Sequence, residues 1–269
     1  MGRLDGKVAF ITGAARGQGR AHAVRLAAEG ADIIAIDLCA GFDTVNYPPA
    51  TPEDLEETVA LVEKEGRRIV ARRADVRDME ELQSALDQGV AELGRVDIVV
   101  ANAGILNIGN SWEMTDEQWR EVIDVNLTGV WHTAKAAIPT MISQGDGGSI
   151  ILTSSVAGLY GQPFTVGYTA AKHGVVGIAR CLANELAEYS IRVNSIHPTG
   201  VETDMAHEPD LGAMVALKAE TLGPVFMNGL PVRLMEPEDV SSVVAFLASD
   251  DAKTMTGGQV RVDLGKLNR

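Results

Sequence analysis

Residues 8–19 read VAFITGAARGQG, an apolar, β-branched run followed by a turn with three glycines. A helical pattern of apolar residues begins directly after this turn. Glycines here let the backbone turn tightly and approach a pyrophosphate, whose charge meets the free N–H groups at the helix N-terminus. Three glycines alone are equally consistent with a tight turn that binds no ligand. The strand before them and the helix after them favour a dinucleotide-binding unit.

The rest of the chain alternates strand patterns with helix patterns. Strands are predicted at 8–12, 32–38, 69–75, 97–101, 149–154, 192–197 and 259–263, and helices at about 18–29, 52–65, 79–93, 115–142, 166–189 and 237–248. Several strands are apolar on both faces, as in a parallel sheet covered by helices on each side. We therefore predict a single α/β domain, residues 1–269, with a doubly wound Rossmann-type parallel sheet of about seven strands and helices on both faces.

The composition is that of an ordinary globular chain of 269 residues, with a formal net charge of −14. No basic run offers a footprint for nucleic acid or an anionic membrane, so we expect neither as a partner. Cys39 and Cys181 lie far apart without metal-ligand spacing, which predicts reduced thiols and no metal site. The first strand starts too early for a signal peptide, and no apolar run is long enough to span a bilayer. These features predict a soluble cytoplasmic protein.

Asp37 lies at the end of the second predicted strand, 18 residues after Gly19. A carboxylate at this distance can accept hydrogen bonds from both hydroxyls of an adenosine ribose. It would also repel a 2′-phosphate, so Asp37 predicts NAD rather than NADP as the cofactor. Arg16, inside the turn, could partly tolerate a 2′-phosphate, but Asp37 should dominate. A strand-end acid without a ligand is the less favoured alternative.

Further polar residues follow the third and fourth predicted strands. Asp75 could accept a hydrogen bond from the adenine amino group, or it could cap the next helix, and the sequence leaves both interpretations open. Asn102, Ala103 and Gly104 place a polar amide and small residues after the fourth strand. Because ligands of open α/β sheets bind along the carboxyl ends of the strands, these residues are predicted to border the same cleft.

Tyr168 and Lys172 are four residues apart on one predicted helix and share a face. The pKa of a free phenol is about 10, and a nearby ammonium or a cationic nicotinamide would lower it. The pair could then exchange a proton with an alcohol oxygen while a hydride leaves the alcohol carbon. Ser155 ends a strand on the same sheet edge and could hydrogen-bond that oxygen. Without this context, Tyr-x-x-x-Lys is more often a solvated helix pair.

The sequence resembles the short-chain dehydrogenase/reductase family over essentially the whole chain. The matching pieces, in chain order, are TGAARGQG at 12–19, Asp37, ADV at 74–76, ANAG at 101–104, VNLTG at 125–129, SS at 154–155, YTAAK at 168–172 and IRVNSIHP at 191–198. One piece is a common chance match, whereas the whole series in order is not. The resemblance implies an NAD-dependent enzyme that interconverts a secondary alcohol and a ketone, usually as a homotetramer.

The resemblance also implies roles for individual residues. It makes Tyr168 the general acid/base, Lys172 the group that holds the nicotinamide ribose and lowers the tyrosine pKa, and Ser155 the stabiliser of the carbonyl oxygen. Asn126 would anchor a water that relays the proton; without the family it would be a structural helix asparagine. The residues expected to bind the cofactor are Gly13, Arg16, Gly17, Gln18, Gly19, Asp37, Leu38, Asp75, Val76, Asn102, Ala103, Gly104, Tyr168, Lys172, Pro198, Val201 and Thr203.

One departure from the family pattern follows the sixth strand. The family commonly has Pro-Gly there, whereas this chain has Pro198-Thr199-Gly200. Val201 and Thr203 still lie where a backbone N–H and a hydroxyl could hold the nicotinamide carboxamide.

A loop at about 39–51 interrupts the alternation and contains Phe42, Val45, Tyr47 and two prolines. We expect it to fold as a stiff flap over the adenosine end of the cofactor, although a solvated insertion is a serious competitor. The loop is similar to the insertion of the mycofactocin-associated branch of the family, which includes carveol dehydrogenase. That resemblance implies a tightly held NAD and mycofactocin as an external redox carrier.

A second interruption, at about 199–236, would form the substrate side of the cleft. It carries four of the nine methionines, Met205, Met214, Met227 and Met235. Flexible thioethers suit an apolar, terpenoid-like alcohol, although core packing or a subunit interface would use them equally. The alternatives to an alcohol dehydrogenase are an NADH-dependent ketoreductase of another substrate class, a lyase or epimerase that reuses the site, and a non-catalytic NAD-binding sensor.

Overall fold

Strands and helices alternate along the chain as the sequence predicts. In the computed structural model, which describes residues 2–268, the strands are β1 (Val8–Thr12), β2 (Asp32–Asp37), β3 (Ile69–Arg73), β4 (Ile98–Ala101), β5 (Gly148–Thr153), β6 (Ile191–Pro198) and β7 (Gln259–Val262). The helices are α1 (Gly17–Ala28), α2 (Pro52–Lys64), α3 (Met79–Leu93), α4 (Asp116–Ile123), α5 (Gly129–Gln144), α6 (Val166–Glu185), α7 (Pro209–Leu217), α8 (Ala219–Leu222) and α9 (Pro237–Ala248).

The strands form one sheet in the order β3-β2-β1-β4-β5-β6-β7, and every neighbouring pair is parallel. The strand order changes direction between β1 and β4. In open sheets of this kind the ligand cleft lies at the carboxyl ends of the strands, at this switch point. The predicted doubly wound Rossmann-type sheet is therefore confirmed.

Apolar cores cover both faces of the sheet, because alternate residues of a strand point to opposite sides. In β1, Val8 and Phe10 pack with α3, α5 and α6, whereas Ala9 and Ile11 pack with α1, α2 and α9. All four side chains are buried. This burial on both faces explains the uninterrupted apolar run that precedes the glycine turn.

Capping residues determine where two of the helices begin. Thr51 and Asp54 exchange side-chain to backbone hydrogen bonds at the start of α2, and Thr115 and Gln118 do the same at α4. Each pair satisfies N–H groups that have no partner inside the helix. The cap at Thr51 also fixes the point at which the loop at 39–51 rejoins the fold.

The predicted helix at 115–142 is not a single α-helix. α4 and α5 are separated by a π-helical turn, Asp124–Thr128. A π turn inserts a residue without ending the helix, so the apolar periodicity that predicts the helix continues across it. β3 also ends two residues earlier than predicted, at Arg73.

Between β6 and α9 the chain makes the predicted excursion at 199–236. It contains α7, α8 and two 3-10 turns, Asp204–His207 and Gly223–Phe226. A parallel bridge between Val201 and Met235 closes its base. Within residues 2–268, no helix combines the length and apolar character that crossing a membrane requires.

Candidate active site

The glycine turn lies between the carboxyl end of β1 and the N-terminus of α1. Gly13 and Gly17 have φ angles of 68° and 53°, a region that L side chains rarely adopt. A Cβ on Gly13 would lie 2.8 Å from the Cα of Ala103, and a Cβ on Gly19 would lie 1.9 Å from the Gly13 carbonyl oxygen. These glycines are therefore required by the close approach of β1, α1 and the loop after β4.

An open cleft runs along this edge of the sheet, with an empty volume of about 1090 Å³ that includes open solvent. Most of the predicted cofactor-binding residues line it: Gly13, Arg16, Gly17, Gln18, Gly19, Asp37, Leu38, Asp75, Val76, Asn102, Ala103, Gly104 and Thr203. Its walls also include residues that the sequence analysis did not assign to the cofactor, among them Ile105, Val125 and Met205.

Asp37 ends β2 beside the glycine turn. Its Oδ2 accepts from the backbone N–H of Ala15 at 3.0 Å, and its Oδ1 accepts from that of Cys39 at 2.9 Å. Each carboxylate oxygen has a second lone pair for a further donor. The two backbone contacts thus orient the carboxylate in the cleft, where it can accept from neighbouring hydroxyls.

Asp75 lies beyond the end of β3 and does not cap a helix, because Asp78 is the N-cap of α3. The Asp75 carboxylate instead accepts from the backbone N–H of Arg77 at 2.9 Å and from its guanidinium at 2.6 Å. The capping interpretation is therefore wrong. The adenine interpretation remains a prediction for a carboxylate that lines the cleft.

Tyr168 and Lys172 lie on α6, and Ser155 follows β5. The ammonium nitrogen of Lys172 is 5.4 Å from the centre of the Tyr168 ring and donates to the Thr153 carbonyl at 2.8 Å. The Ser155 hydroxyl lies near enough to the Tyr168 phenol to lower its pKa. The structure therefore brings these three side chains together.

Burial dominates the acid–base properties of this group. It raises the pKa of Tyr168 above its usual value, and the Ser155 hydrogen bond acts in the opposite direction. Burial also lowers the pKa of Lys172 to about 7. The sequence had suggested that the ammonium of Lys172, or a cationic nicotinamide, would lower the pKa of the phenol. In the folded chain, the cost of burying charge outweighs that effect for both side chains.

Asn126 lies in the π turn and is fully buried. Its amide nitrogen donates to the carbonyls of Ile105 and Val122 at 2.9 Å each, and its Oδ1 accepts from the Ile105 N–H at 3.1 Å. A Cβ on Gly104 would lie 2.7 Å from this Oδ1 and 3.7 Å from the Lys172 nitrogen. Gly104 thus connects the cofactor cleft with the Tyr168–Lys172 group.

The predicted cofactor-binding residues at and after the end of β6 divide between two positions. Pro198 supplies a carbonyl that accepts from the Ser155 hydroxyl at 3.5 Å, and Val201 is buried in the bridge to Met235. Thr203 lines the cleft, and its methyl group would lie 3.1 Å from a Cβ on Gly17. Only Thr203 of these predicted residues faces the glycine turn directly.

The loop at 39–51, here called the strap, forms one wall of the cleft through Ala40, Gly41, Phe42, Val45, Tyr47, Pro49 and Ala50. The Tyr47 hydroxyl accepts from the Leu106 N–H at 3.2 Å, and burial raises the pKa of this phenol. The Asn107 amide donates to the Thr44 carbonyl at 2.8 Å. These bonds tie the middle of the strap to the loop after β4.

Both ends of the strap are also held. The Arg77 guanidinium lies 4.7 Å from the centre of the Phe42 ring, a cation–π contact beside Asp75. On the other side, Arg16 donates to the Pro48 carbonyl at 2.5 Å. The strap is therefore a packed wall of the cleft rather than a free surface insertion.

Several features of the cleft fit a dinucleotide. The side-chain oxygen of Gln18 is buried and has no hydrogen-bond partner among residues 2–268. The first N–H groups of α1 have no partner inside the helix and point toward the turn. With the glycine turn and the oriented Asp37 carboxylate, these groups offer donors for a pyrophosphate and acceptors for a ribose. The fold and the cleft together define a dinucleotide-binding protein of the doubly wound class.

The chain belongs to the short-chain dehydrogenase/reductase family. The sequence profile described as short chain dehydrogenase matches residues 7–211. A (-)-trans-carveol dehydrogenase of Rhodococcus erythropolis is 47% identical over 274 residues, which cover 98% of this chain and 99% of the relative. A protein of Mycobacterium tuberculosis named as an uncharacterized NAD-dependent oxidoreductase is 52% identical and covers 99% of this chain and 98% of its own.

A solved structure agrees with this placement. The crystal structure of carveol dehydrogenase from Mycobacterium avium in complex with NAD has 49% sequence identity and a TM-score of 0.96, and 100% of each chain is covered. The family expectation from the sequence motifs, and the similarity to carveol dehydrogenase, are therefore confirmed.

Sequence reasoning missed two features of the site. Asp204 forms an ion pair with Arg16 at 2.7 Å across the cleft. In the sequence, Asp204 could have been singled out by its position next to Thr203. His197 is fully buried, with its Nδ1 2.8 Å from the Ser155 carbonyl oxygen. This histidine lies inside the motif IRVNSIHP. A titratable residue on a strand predicted to be buried could have pointed to it.

Proposed function

We propose that this protein is an NAD-dependent oxidoreductase that interconverts a secondary alcohol and a ketone, with the whole chain, 1–269, as its single catalytic domain. The observation that carries the proposal is the meeting of Tyr168, Lys172 and Ser155 beside a glycine-lined cleft with Asp37 at its far end. A proton-transfer group adjoining a dinucleotide cleft is the combination that alcohol oxidation requires.

In this proposal Tyr168 exchanges the proton of the alcohol oxygen. Without substrate, Ser155 lowers the pKa of the Tyr168 phenol, and once the alcohol is bound its single hydroxyl proton is donated to the alcohol oxygen. Lys172, when protonated, also stabilises the phenolate from 5.4 Å away. Asn126 keeps the π turn and the loop after β4 in register, where it anchors the water that relays the proton onward.

Bound NAD supplies the chemistry of hydride acceptance or donation. Asp37 would accept from its adenosine ribose, and the glycine turn with Arg16 and Gln18 would hold its pyrophosphate. Lys172 would hold the nicotinamide ribose, with Pro198, Val201 and Thr203 along the nicotinamide. The remaining predicted contacts are Leu38, Asp75 and Val76 at the adenine, and Asn102, Ala103 and Gly104 beneath the cofactor. Relatives named for NAD support this cofactor.

The proposed substrate is an apolar, terpenoid-like secondary alcohol. The relatives named as carveol dehydrogenase support it, because they match this chain over almost its whole length. The excursion also offers exposed apolar side chains, including Leu217, Met227 and Leu230. The alternative, an NADH-dependent ketoreductase of another substrate class, would use the same residues but differ in substrate and in the direction of the reaction.

We also propose that NAD is held tightly and that electrons leave through an external carrier, for which mycofactocin is the candidate. The strap supports this idea, because it forms one wall of the cleft and is tied down by its bonds to Leu106, Asn107 and Arg16. Affinity differences of this kind appear mainly as slower dissociation.

The proposed assembly is a cytoplasmic homotetramer. Trp112, Trp119 and Trp131 are 78%, 41% and 42% exposed, which is unusual for tryptophan and supports subunit contacts. Cys39 and Cys181 are both free thiols, as in a reducing compartment. Light scattering of the purified protein measures the assembly directly.

A panel of alcohols tests the function. Purified protein with added NAD and an artificial electron acceptor is exposed to cyclic terpenoid alcohols, short linear alcohols and hydroxyacyl thioesters, and ketone formation is measured by mass spectrometry. The proposal predicts turnover of the cyclic alcohols. Binding of NAD without turnover of any alcohol or ketone would favour the sensor, and isomerised product without net NADH would favour the lyase or epimerase.

A further inference from the structure

His197 lies near the end of β6, next to β5, and its side chain is fully buried. Its Nδ1 is 2.8 Å from the carbonyl oxygen of Ser155, and its Nε2 is 2.9 Å from the hydroxyl oxygen of Ser195. The imidazole therefore bridges the backbone of the serine beside Tyr168 and the interior of the neighbouring strand.

The partners of the ring determine its tautomer. A carbonyl oxygen only accepts, so Nδ1 carries the proton and donates to Ser155. Burial lowers the pKa of His197, so the ring is neutral and Nε2 is an acceptor. The Ser195 hydroxyl has one proton, and Nε2 at 2.9 Å is closer than its other acceptor, the Gly258 carbonyl at 3.3 Å.

The Ser155 hydroxyl itself is held only loosely by the protein. It accepts from the Ala157 N–H at 3.2 Å and donates to the Pro198 carbonyl at 3.5 Å, the limit of a hydrogen bond. The Ser155 carbonyl is held more firmly, because it lies 2.8 Å from the His197 Nδ1 and accepts from the Gly158 N–H at 2.9 Å. The position of the hydroxyl against Tyr168 thus depends on how firmly that peptide is held.

We propose that His197 is a positioning residue: by donating from Nδ1 to the Ser155 carbonyl, it holds the Ser155 hydroxyl where it can hydrogen-bond both the Tyr168 phenol and the substrate oxygen. Ser195 completes the arrangement by fixing the tautomer. This inference rests on the proposed function, because it assigns His197 a part in the same proton transfer.

Other charged or titratable groups around these residues must stay constant in a test. Lys172 and His173 on α6 interact electrostatically with His197, and Tyr47 of the strap interacts with Tyr168. Substitutions confined to His197 leave all of them in place. The Ser155 hydrogen bond lowers the pKa of Tyr168, so its loss should move the pH dependence of turnover upward.

A matched pair of variants isolates the Nδ1 contact. In His197→Asn the side-chain amide can occupy the Nδ1 position and donate to Ser155, whereas in His197→Gln it reaches the Nε2 position instead. Misplacing a catalytic group by about 1 Å costs up to ~100-fold in rate, so we expect kcat to fall at least about tenfold in His197→Gln. We expect His197→Asn to recover most of this loss, with KM for NAD alike in both.

The pH profile separates positioning from a purely structural role. We expect the half-maximal pH of kcat to lie higher in His197→Gln than in His197→Asn. Equal kcat values with coincident pH profiles in the two variants would overturn the proposal. If the wild-type protein oxidises no alcohol, the proposed function fails, and the inference is judged by ultraviolet titration of the phenol, identified by its absence in Tyr168→Phe.

The wild-type protein provides a test that does not depend on a folded variant. Nitrogen-15 spectra of labelled histidine report the tautomer of each ring. We expect the His197 signal, absent in either variant, to show a neutral ring with a proton on Nδ1. A neutral ring protonated on Nε2 could not donate to Ser155, and would overturn the proposal.

Discussion

The guanidinium of Arg16 lies 2.7 Å from the carboxylate of Asp204, and so joins the glycine turn to the excursion after β6. The same guanidinium donates to the Pro48 carbonyl of the strap. A second bond, from the Asn46 amide to the Asp210 carboxylate at 3.0 Å, joins the strap to the excursion directly. The two segments that flank the cleft therefore meet on Arg16, a residue of the glycine turn.

Arg16→Ala should speed the release of NAD. The ion pair is partly exposed, so it contributes at most about 1 kcal/mol, which corresponds to roughly a fivefold faster dissociation. Stopped-flow displacement of bound nucleotide measures this rate. Arg120→Ala, which removes an exposed ion pair on α4, is the control. Asp204→Ala removes the same ion pair and leaves the Arg16 side chain in place, and equal dissociation rates for Asp204→Ala and the wild type would show that this contact does not close the cleft.

Removal of the strap should speed the release of NAD more than Arg16→Ala does. Gly41 lies against the ring of Pro49, so the two ends of the strap are close together, and a short Gly-Ser bridge can replace residues 42–49. We expect the wild-type protein to purify with NAD bound and to turn over slowly with free NAD alone. The shortened protein should exchange NAD freely. Wild-type protein that is free of nucleotide and turns over rapidly with added NAD contradicts this prediction.

Asp37→Ala should weaken NAD binding and relax the discrimination against NADP. The substitution removes the acceptor for the ribose hydroxyls and also the charge that repels a 2′-phosphate. Calorimetric titration of both nucleotides measures the preference, with Asp43→Ala, an exposed carboxylate in the strap, as the control. An unchanged ratio of the dissociation constants for NAD and NADP would mean that Asp37 does not face the ribose.

Lys172 should make the stability of the nucleotide-free protein depend on pH. Its pKa is lowered from 10.5 to about 7, so between these values the unfolded chain binds a proton that the folded protein does not. The free energy of unfolding therefore rises with pH across this window, by at most about 1.4 kcal/mol per pH unit.

Urea unfolding of Lys172→Met at a series of pH values checks the prediction. We expect a flatter pH dependence between about pH 7 and pH 10 than in the wild type, since the proton difference is lost. Lys135→Met removes an exposed lysine and should keep the wild-type slope. Parallel slopes in wild type and Lys172→Met would mean that Lys172 is charged in the folded protein.

The sequence was sufficient for those parts of the fold and site that depend on local pattern. Apolar runs predicted the strands, and the glycine turn with Asp37 predicted the cleft, because these features follow from neighbouring residues. Contacts between residues far apart in the sequence could not be predicted, because they do not follow from a local pattern. The bonds of Asn126 to Ile105 and the pairing of Arg16 with Asp204 are examples.

Burial explains why the pKa shifts of Tyr168 and Lys172 could not be predicted from the sequence. Spacing placed Tyr168 beside Lys172, but it could not show that both side chains lose water on folding. This loss sets the direction of both pKa shifts. The same limit applies to the strap, whose composition suggested a flap but whose partners, Leu106 and Asn107, became visible only in the folded chain.

Tyr168→Phe removes the phenolic hydroxyl and leaves the cofactor cleft in place. A general acid/base contributes on the order of 10²–10⁴-fold to rate, so we expect turnover to fall by that amount while NAD binding stays nearly constant. Tyr160→Phe, which removes a hydroxyl bonded only to Gln162 among the described residues, is the control and should keep its activity.

The most direct test of the account follows the nucleotide in freshly purified protein through one addition of a secondary alcohol. Absorbance of reduced nicotinamide is recorded without added NAD and then with it, in the wild type and in Tyr168→Phe. The account predicts rapid reduction in the wild type, stoichiometric with the bound NAD, and a far slower reduction in Tyr168→Phe with the same nucleotide content. Equal rates of reduction in the two proteins, or no reduction in the wild type with any secondary alcohol even when NAD is added, would contradict it.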